Sequence, residues 1–90
     1  MSRAVVDPGD LRRFAQGLQH FNQEVQHLIG VLQGQFGSLA DTWRDQEQQK
    51  FAEEFTQTIQ VLARFLGISA QQVPFLLRKA ERIEEYLRQR

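Results

Sequence analysis

Residues 37–45 read GSLADTWRD, and this stretch decides the fold because it is the one credible turn in the middle of the chain. Glycine and proline are scarce, with 6 and 2 residues among 90, so the sequence offers few other places to turn. Asp41, Thr42 and Asp45 favour turns and helix caps through local hydrogen bonds of their side chains. We therefore predict two helices joined by a turn at about residues 41–45.

The first half of the chain has the start signal and the heptad pattern of an amphipathic helix at about residues 8–40. Asp7 is suited to the N-cap, and Pro8 to the first helical position, where its missing N–H costs nothing. Apolar residues then recur at steps of three and four, which indicates a heptad seam. The seam consists of Leu11, Phe14, Leu18, Phe21, Val25, Leu28, Leu32 and Leu39.

A third apolar column widens this stripe. It contains Ala15, Ile29 and Phe36, and Asn22 interrupts it, so it indicates a patchy second contact surface. A stripe about three-sevenths of the helix wide suits a helical bundle better than a simple two-stranded coil.

The second half of the chain predicts a helix at about residues 46–88. Its two apolar columns are Ala52, Ile59, Leu66, Val73, Ala80 and Leu87, and Phe55, Leu62, Ser69, Leu76 and Ile83. Pro74 lies inside this pattern, where a proline loses one hydrogen bond and clashes with the carbonyl of Ala70. The segment is either two helices with a break near residues 67–73 or one helix with a kink near Pro74. Both columns keep their phase across the proline, which favours the single kinked helix.

A hairpin folded about Trp43 brings Leu11 near Leu76 and Phe21 near Phe65. The end of the second helix then extends past the start of the first. Its apolar residues Ala80, Ile83, Tyr86 and Leu87 need a cover, for which Val5, Val6 or a second chain are candidates.

The single interface of a two-helix hairpin is a small core for 90 residues. Pairing two hairpins buries the wider stripes in a four-helix bundle. We therefore predict an all-α, antiparallel helical hairpin, a single domain over residues 1–90, that forms a dimer with itself or with a related chain.

The residues around the turn resemble the WXG family, small helical-hairpin proteins of type VII secretion systems. That family carries Trp-X-Gly in the turn between two helices, with an aromatic residue about two helical turns later and another soon after. Here Trp43-Arg44-Asp45 is preceded by Leu39 and followed by Phe51 and Phe55 at similar spacing. The resemblance covers nearly the whole chain. It implies a dimer with a related hairpin, a secretion ATPase as a further partner, and a cytoplasmic stage before export without a cleaved signal peptide.

Two features depart from the family pattern. Asp45 replaces the motif glycine, and a glycine permits backbone angles that aspartate reaches at some cost. Family secretion also resembles a two-part code, in which the second part is a carboxy-terminal Tyr-X-X-X-Asp/Glu. Here Tyr86 is followed four residues later by Arg90, which has the opposite charge. If the code applies, the acidic part is absent or lies on a partner.

Composition argues against several other classes of function. The 11 basic residues balance the 11 acidic ones, so no net field attracts nucleic acid or an anionic membrane. No cysteine is present, which removes disulfides, thiolate metal sites and thiol nucleophiles. The amino terminus lacks the apolar run of a signal peptide, and no stretch approaches the ~18 apolar residues that span a bilayer.

The candidate binding residues each have a structural alternative. Trp43 and Asp45 form the candidate docking turn, although a tryptophan there also closes the open end of a hairpin core. Ile83, Tyr86 and Leu87 form a candidate recognition tail, in a run whose mixed charges, including Glu84 and Arg88 spaced for an ion pair, are also typical of a solvated helix face. The candidate dimer or hairpin seam comprises Leu11, Phe14, Leu18, Phe21, Val25, Leu28, Leu32, Phe51, Phe55, Ile59, Leu62, Leu66 and Leu76.

We find no pattern of catalytic or cofactor-binding residues. His20, Glu24 and His27 share a helical face, but one helix supplies an incomplete metal site. There is no Gly-rich phosphate loop, and the serines have no activating context. We therefore predict no enzyme activity, no cofactor, no metal and no small-molecule substrate.

The leading hypothesis is a WXG-like cargo or adaptor of a type VII-like secretion system. One alternative is an intracellular structural or adaptor bundle that shares only the hairpin. Another is a membrane-active amphipathic protein, suggested by the phenylalanine-rich stripe and opposed by a glutamine-rich, charge-balanced polar face.

Overall fold

The computed structural model describes residues 6–89 and has the predicted architecture, an antiparallel hairpin of two long helices. Helix α1 spans Pro8–Leu39 and helix α2 spans Gln46–Arg88, joined by residues 40–45. The hairpin is a thin rod, 69 Å long and 20 by 18 Å across. The predicted fold class and helix bounds are confirmed.

The amino-terminal end of α1 differs in one detail from the prediction. Asp7 occupies the N-cap position and Pro8 the first turn, but the Asp7 side chain accepts no capping hydrogen bond. Its carboxylate lies instead beside Gly9, where an added Cβ would be 3.3 Å from Oδ2. The predicted N-cap position of Asp7 is therefore confirmed, and the first turn is held by the backbone bond from Leu11 N to Asp7 O, at 3.1 Å, rather than by the carboxylate.

Helix α2 continues through Pro74 without a break. The interpretation with two helices and a break near residues 67–73 is therefore wrong. The side chain of Pro74 is exposed and lies along the groove between the helices that Gln19 and Gln23 of α1 line. Tertiary packing on both sides of the proline keeps the helix in phase, because Ser69 and Val73 before it and Ala80 after it are all buried.

The sequence pattern favoured the columns of Leu11 and Phe14 as the inner face of α1. In the structure the inner columns are those of Leu11 and Ala15. Ala15 is fully buried there and Asn22, Ile29 and Phe36 are half-buried, whereas Phe14, Phe21 and Leu28 are exposed. The column that we interpreted as a patchy second surface is therefore the inner one. Small side chains explain the choice, because Ala15 on α1 and Ala80 on α2, both 0% exposed, let the two backbones approach closely.

Two contacts show the register in which the helices pair. The Asn22 side chain meets Ser69, and the ring of Phe36 meets that of Phe55, and both pairs of positions are two heptads apart on their helices. These two pairs are centred near Asp45 rather than on Trp43. The predicted approach of Leu11 to Leu76 stays a prediction. The predicted approach of Phe21 to Phe65 is confirmed, with ring centroids 6.4 Å apart in an edge-to-face arrangement.

This register also shortens the predicted overhang of α2. Ala80 is fully buried and Ile83 half-buried within the hairpin, so the expectation that both need an external cover is wrong. Tyr86 and Leu87 remain exposed, as does Val6. Val5, the other candidate cover, lies outside the described residues.

Candidate functional site

The turn end of the hairpin is closed by an aromatic cluster of Phe36, Trp43, Phe51 and Phe55. Ring centroids of Trp43 and Phe51 are 5.9 Å apart, those of Phe36 and Phe55 5.1 Å, and Phe51 and Phe55 stack at 5.7 Å. Trp43 is half-buried, so one part of the indole packs on Phe51 while another part faces solvent. The packing and docking roles considered for this tryptophan are therefore compatible in one conformation.

The backbone of the turn is held by hydrogen bonds to the last carbonyl groups of α1. Trp43 N donates to Leu39 O at 2.7 Å, and the guanidinium Nε of Arg44 donates to Ala40 O at 3.0 Å. The last turn of α1 contains no basic residue of its own. Arg44 therefore supplies the positive charge that a helix carboxyl end favours, from the middle position of the Trp-X-Asp motif.

Asp45 begins α2 as its N-cap. Its backbone is extended, with φ −89° and ψ −175°, and its Oδ1 accepts a hydrogen bond from Gln48 N at 3.0 Å. No non-glycine residue in the described part of the chain has a positive φ. The expected backbone cost of aspartate in place of glycine is therefore wrong, because this position needs an N-cap, and aspartate is among the preferred N-cap residues.

One long face of the hairpin carries large exposed apolar side chains, and we call it the apolar face. Phe14, Phe21 and Leu28 recur every seven residues on α1, and Phe65 of α2 packs against Phe21 on the same side. Val61, Ile68 and Phe75 recur every seven residues on α2 and form a further column beside Phe65. The full set comprises Phe14, Phe21, Leu28, Val31, Val61, Phe65, Ile68 and Phe75, each between 41% and 68% exposed.

The opposite long face has a different chemistry. Shallow grooves run between the helices there, lined by glutamines of α1 and small residues of α2. They include Gln19, Gln23, Gln26 and Gln33 on one side and Ala63, Gly67 and Ala70 on the other. Amide side chains are readily solvated, so the apolar face, rather than this one, gains from being covered by a partner.

The open end of the hairpin is joined by an ion pair. Arg12 donates from Nε to Glu84 Oε2 at 3.0 Å and from Nη2 to Glu84 Oε1 at 2.8 Å. The hydrogen bonds from Arg12 lower the pKa of Glu84 below its usual value, and the same bonds raise the pKa of Arg12. Glu84 thus pairs across the hairpin rather than with Arg88, which contributes a weaker charge effect on its pKa.

The sequence-predicted seam residues fall into groups with different surroundings. Between the helices, half-buried, lie Leu11, Leu18, Val25, Phe55, Ile59, Leu62, Leu66 and Leu76. Leu32 is exposed at the edge of the seam, Phe51 belongs to the aromatic cluster, and Phe14, Phe21 and Leu28 belong to the apolar face. In the candidate tail, Ile83 is half-buried beside the ion pair and Tyr86 and Leu87 are exposed.

Several residues of these surfaces were missed by sequence reasoning. Val61, Ile68 and Phe75 repeat every seven residues, so their spacing was a usable signal. The partnership of Arg12 with Glu84 had no such signal, because it joins positions 72 residues apart.

The described residues offer neither a metal cluster nor a membrane-spanning helix. Among residues 6–89 no group of three or more histidine, aspartate or glutamate side chains could hold a metal ion. Within the same range no helix is long and apolar enough to cross a bilayer.

Comparison with known proteins identifies related chains. The sequence matches the WXG100 family, described as proteins of 100 residues with WXG, over residues 5–73. The hairpin is similar to the crystal structure of a secreted protein, EsxB, from Bacillus anthracis strain Sterne, with 28% identity, a TM-score of 0.81, and coverage of 96% of this chain and 98% of that one. A proline-to-alanine mutant of EsxB gives 28% identity, a TM-score of 0.83, and coverage of 94% and 96%. Comparison with curated proteins gave no significant match.

Proposed function

The chain belongs to the WXG100 family, and from that membership we propose that it is a non-enzymatic protein-binding module, a substrate or adaptor of a type VII-like secretion system that acts as a dimer. The Trp43 turn thus resembles the family motif because the chain is a member of that family. The secreted EsxB, similar over nearly the full length of both chains, supports export.

The observation that carries the proposal is the apolar face. Eight large apolar side chains on one side of a thin hairpin are each at least 41% exposed. Contiguous apolar patches of this kind mark protein-binding surfaces, since soluble monomers rarely leave them uncovered. A second helical hairpin, laid on this face, covers its whole length and completes a four-helix bundle. That hairpin is either a second copy or a related chain.

The dimer is tested by light scattering on the wild type and on Phe75→Glu. Phe75 is 55% exposed on the apolar face, so a charge there opposes association without removing a side chain from the hairpin interior. Gln23→Glu adds the same charge on the opposite face and serves as the matched control. We expect a mass near twice 10.5 kDa for the wild type and the control, and a monomer for Phe75→Glu. A monomeric wild type redirects the proposal to a different hairpin as the partner.

Export is tested with two substitutions of Trp43 in cells that contain a type VII-like apparatus and in cells that lack its ATPase. Trp43→Phe keeps an aromatic ring against Phe51, whereas Trp43→Ala removes it. We expect wild-type protein in the medium only when the ATPase is present. If the indole is a docking group, both variants stay in the cells while keeping wild-type mass and helicity.

The second candidate is a bundle that remains inside the cell, and the charge of Arg90 four residues after Tyr86 favours it. Under the export hypothesis a partner chain supplies the acidic part of the signal. Co-expression with a related hairpin that carries this acidic residue separates the two. Export that begins only with the partner supports an adaptor pair, and retention in both cases supports the intracellular bundle. The phenylalanine-rich apolar face also keeps a membrane-active protein among the outcomes, and leakage of lipid vesicles at neutral or acidic pH would indicate it.

A further inference from the structure

Among residues 6–89, the interface between α1 and α2 contains a polar layer. Ser69 Oγ donates to the side-chain oxygen of Asn22 at 2.8 Å, in a position where Ser69 is only 2% exposed. The neighbouring layers are apolar, and the ring pair of Phe36 and Phe55 lies two heptads toward the turn. Buried polar side chains are usually hydrogen-bonded, and this bond gives the Ser69 hydroxyl an acceptor on the facing helix.

The apolar layers alone do not specify how far α2 lies along α1. Val25 is three residues after Asn22 and Leu66 three before Ser69, so the native register places them at the same level. A shift of one heptad in either direction replaces Leu66 with Ile59 or Val73, and both are apolar residues of similar size. A seven-residue slip of a heptad seam therefore keeps most of its apolar burial.

The same slip separates the polar pair. Asn22 would then meet Leu62 or Leu76, and Ser69 would meet Ile29 or Ala15. The buried Ser69 hydroxyl then loses its partner on the facing helix, and the half-buried amide of Asn22 packs against an apolar side chain, which costs free energy. We propose that Asn22 and Ser69 form a register lock, which selects the native pairing of the two helices over the heptad-slipped pairings.

The register has a consequence for the surface as well as for the interior. Phe21 meets Phe65 only in the native register, at a centroid distance of 6.4 Å. A slip of seven residues moves one helix by about 10 Å along the other. The columns of α1 and α2 would then no longer meet as one apolar face. The lock therefore sets the alignment of that face, although the register itself does not depend on the proposed function.

The other long-range polar contact is a weaker candidate for this role. The ion pair of Arg12 and Glu84 is also register-specific, but its side chains are 36% and 31% exposed. Water solvates both groups when the pair is broken, so exposed ion pairs discriminate little between alternatives. Ser69 is 2% exposed, so water has little access to replace Asn22 as its partner, and the remaining acceptor is a carbonyl of its own helix.

The experiment uses engineered cysteines, since the chain has none of its own. Val25→Cys combined with Leu66→Cys reports the native register by forming a disulfide in a glutathione buffer. Val25→Cys combined with Val73→Cys reports the register slipped by one heptad. In the wild-type background we expect the native disulfide to exceed the slipped one by roughly tenfold or more, the factor that an unpaired buried polar group implies.

Two exchange variants with unchanged amino-acid composition then move the lock. Asn22→Ile with Ile29→Asn places the asparagine where it meets Ser69 only after a one-heptad slip. We expect the slipped disulfide to rise at least about tenfold relative to the native one. Adding Leu62→Ser and Ser69→Leu puts the serine opposite Asn at position 29 in the native register. This double exchange is expected to restore the native disulfide.

Each outcome decides the proposal. An unchanged ratio of native to slipped disulfide in the first exchange would overturn the proposal. The turn and the remaining layers would then set the register. If the first exchange loses its helical circular dichroism, recovery of both helicity and the native disulfide in the double exchange supports the lock. Failure of the double exchange to recover either one counts against it.

Discussion

Arg12 and Glu84 join the two helices at the open end of this hairpin through a pair of hydrogen bonds, at 2.8 and 3.0 Å. The two positions are 72 residues apart in the sequence. The contact lies beyond the last fully buried layer, which contains Ala80. It therefore ties the start of α1 to the final turns of α2, between the half-buried Ile83 and the exposed Tyr86.

This ion pair predicts a pH dependence of stability at the acidic end. The pKa of Glu84 is lowered in the folded state by its hydrogen bonds with Arg12. The unfolded state therefore binds a proton at a higher pH than the folded state, so the contribution is present above the usual glutamate pKa and is lost as the pH falls through the lowered pKa.

We expect Glu84→Gln to flatten this part of the pH profile of the thermal unfolding midpoint. Glu53→Gln, at an exposed position of α2, is the control and should keep the wild-type slope. Because both partners are about one-third exposed, added salt should also reduce the difference between wild type and Glu84→Gln. Parallel profiles for the two variants would contradict the prediction.

The second prediction concerns the cap of α2. Asp45→Ala removes the acceptor for Gln48 N and should lower the free energy of unfolding by about 1 kcal/mol. Asp45→Gly, which restores the family glycine, should lower it by only a few tenths of a kcal/mol, since glycine is tolerated at N-caps. Urea unfolding followed by circular dichroism measures both. An Asp45→Ala variant as stable as the wild type would show that the carboxylate is not a stabilising group.

The third prediction concerns the close approach of the helices at Ala15. Its side chain is fully buried in the interface, so Ala15→Leu adds volume for which the native packing has no space. We expect a loss of about 1–3 kcal/mol in the free energy of unfolding. Gln16→Leu, on the exposed neighbour, adds a leucine outside the interface and should change stability by less than about 0.5 kcal/mol. A well-tolerated Ala15→Leu would place the true interface elsewhere.

The fourth prediction is a stabilising substitution in α2. Gly67 lies inside the helix, and a Cβ added there meets nothing within 4 Å. Gly67→Ala should therefore raise the free energy of unfolding by about 0.5–1 kcal/mol, since alanine loses less backbone freedom in a helix. The same urea titration measures it. A loss instead of a gain would indicate that the groove beside Gly67 is occupied in solution.

Local chemistry made the helices and the turn predictable. The bounds of α1 and α2 agree with the pattern within a residue, because heptad periodicity, a proline start and a cluster of turn residues all act over a few positions. The continuity of α2 through Pro74 was also predictable, since apolar columns keep their phase only when one helix packs along one partner. The hydrogen bonds of the two N-cap aspartates were harder to predict. Asp7 and Asp45 are equally suited to N-caps, but only the side chain of Asp45 accepts a capping hydrogen bond.

The sequence by itself determined that this chain forms two amphipathic helices around a Trp43 turn, because those properties depend on neighbours within a few residues. Which apolar column faces inward was decided by the tertiary structure. On α1 the Phe14 and Ala15 columns both lie at helical spacing from Leu11 and Leu18, so periodicity permits either. The choice depends on residues far along the chain. Ala80 accepts a close approach and Ser69 supplies the partner that Asn22 needs, and together they leave the larger phenylalanines outside as the apolar face.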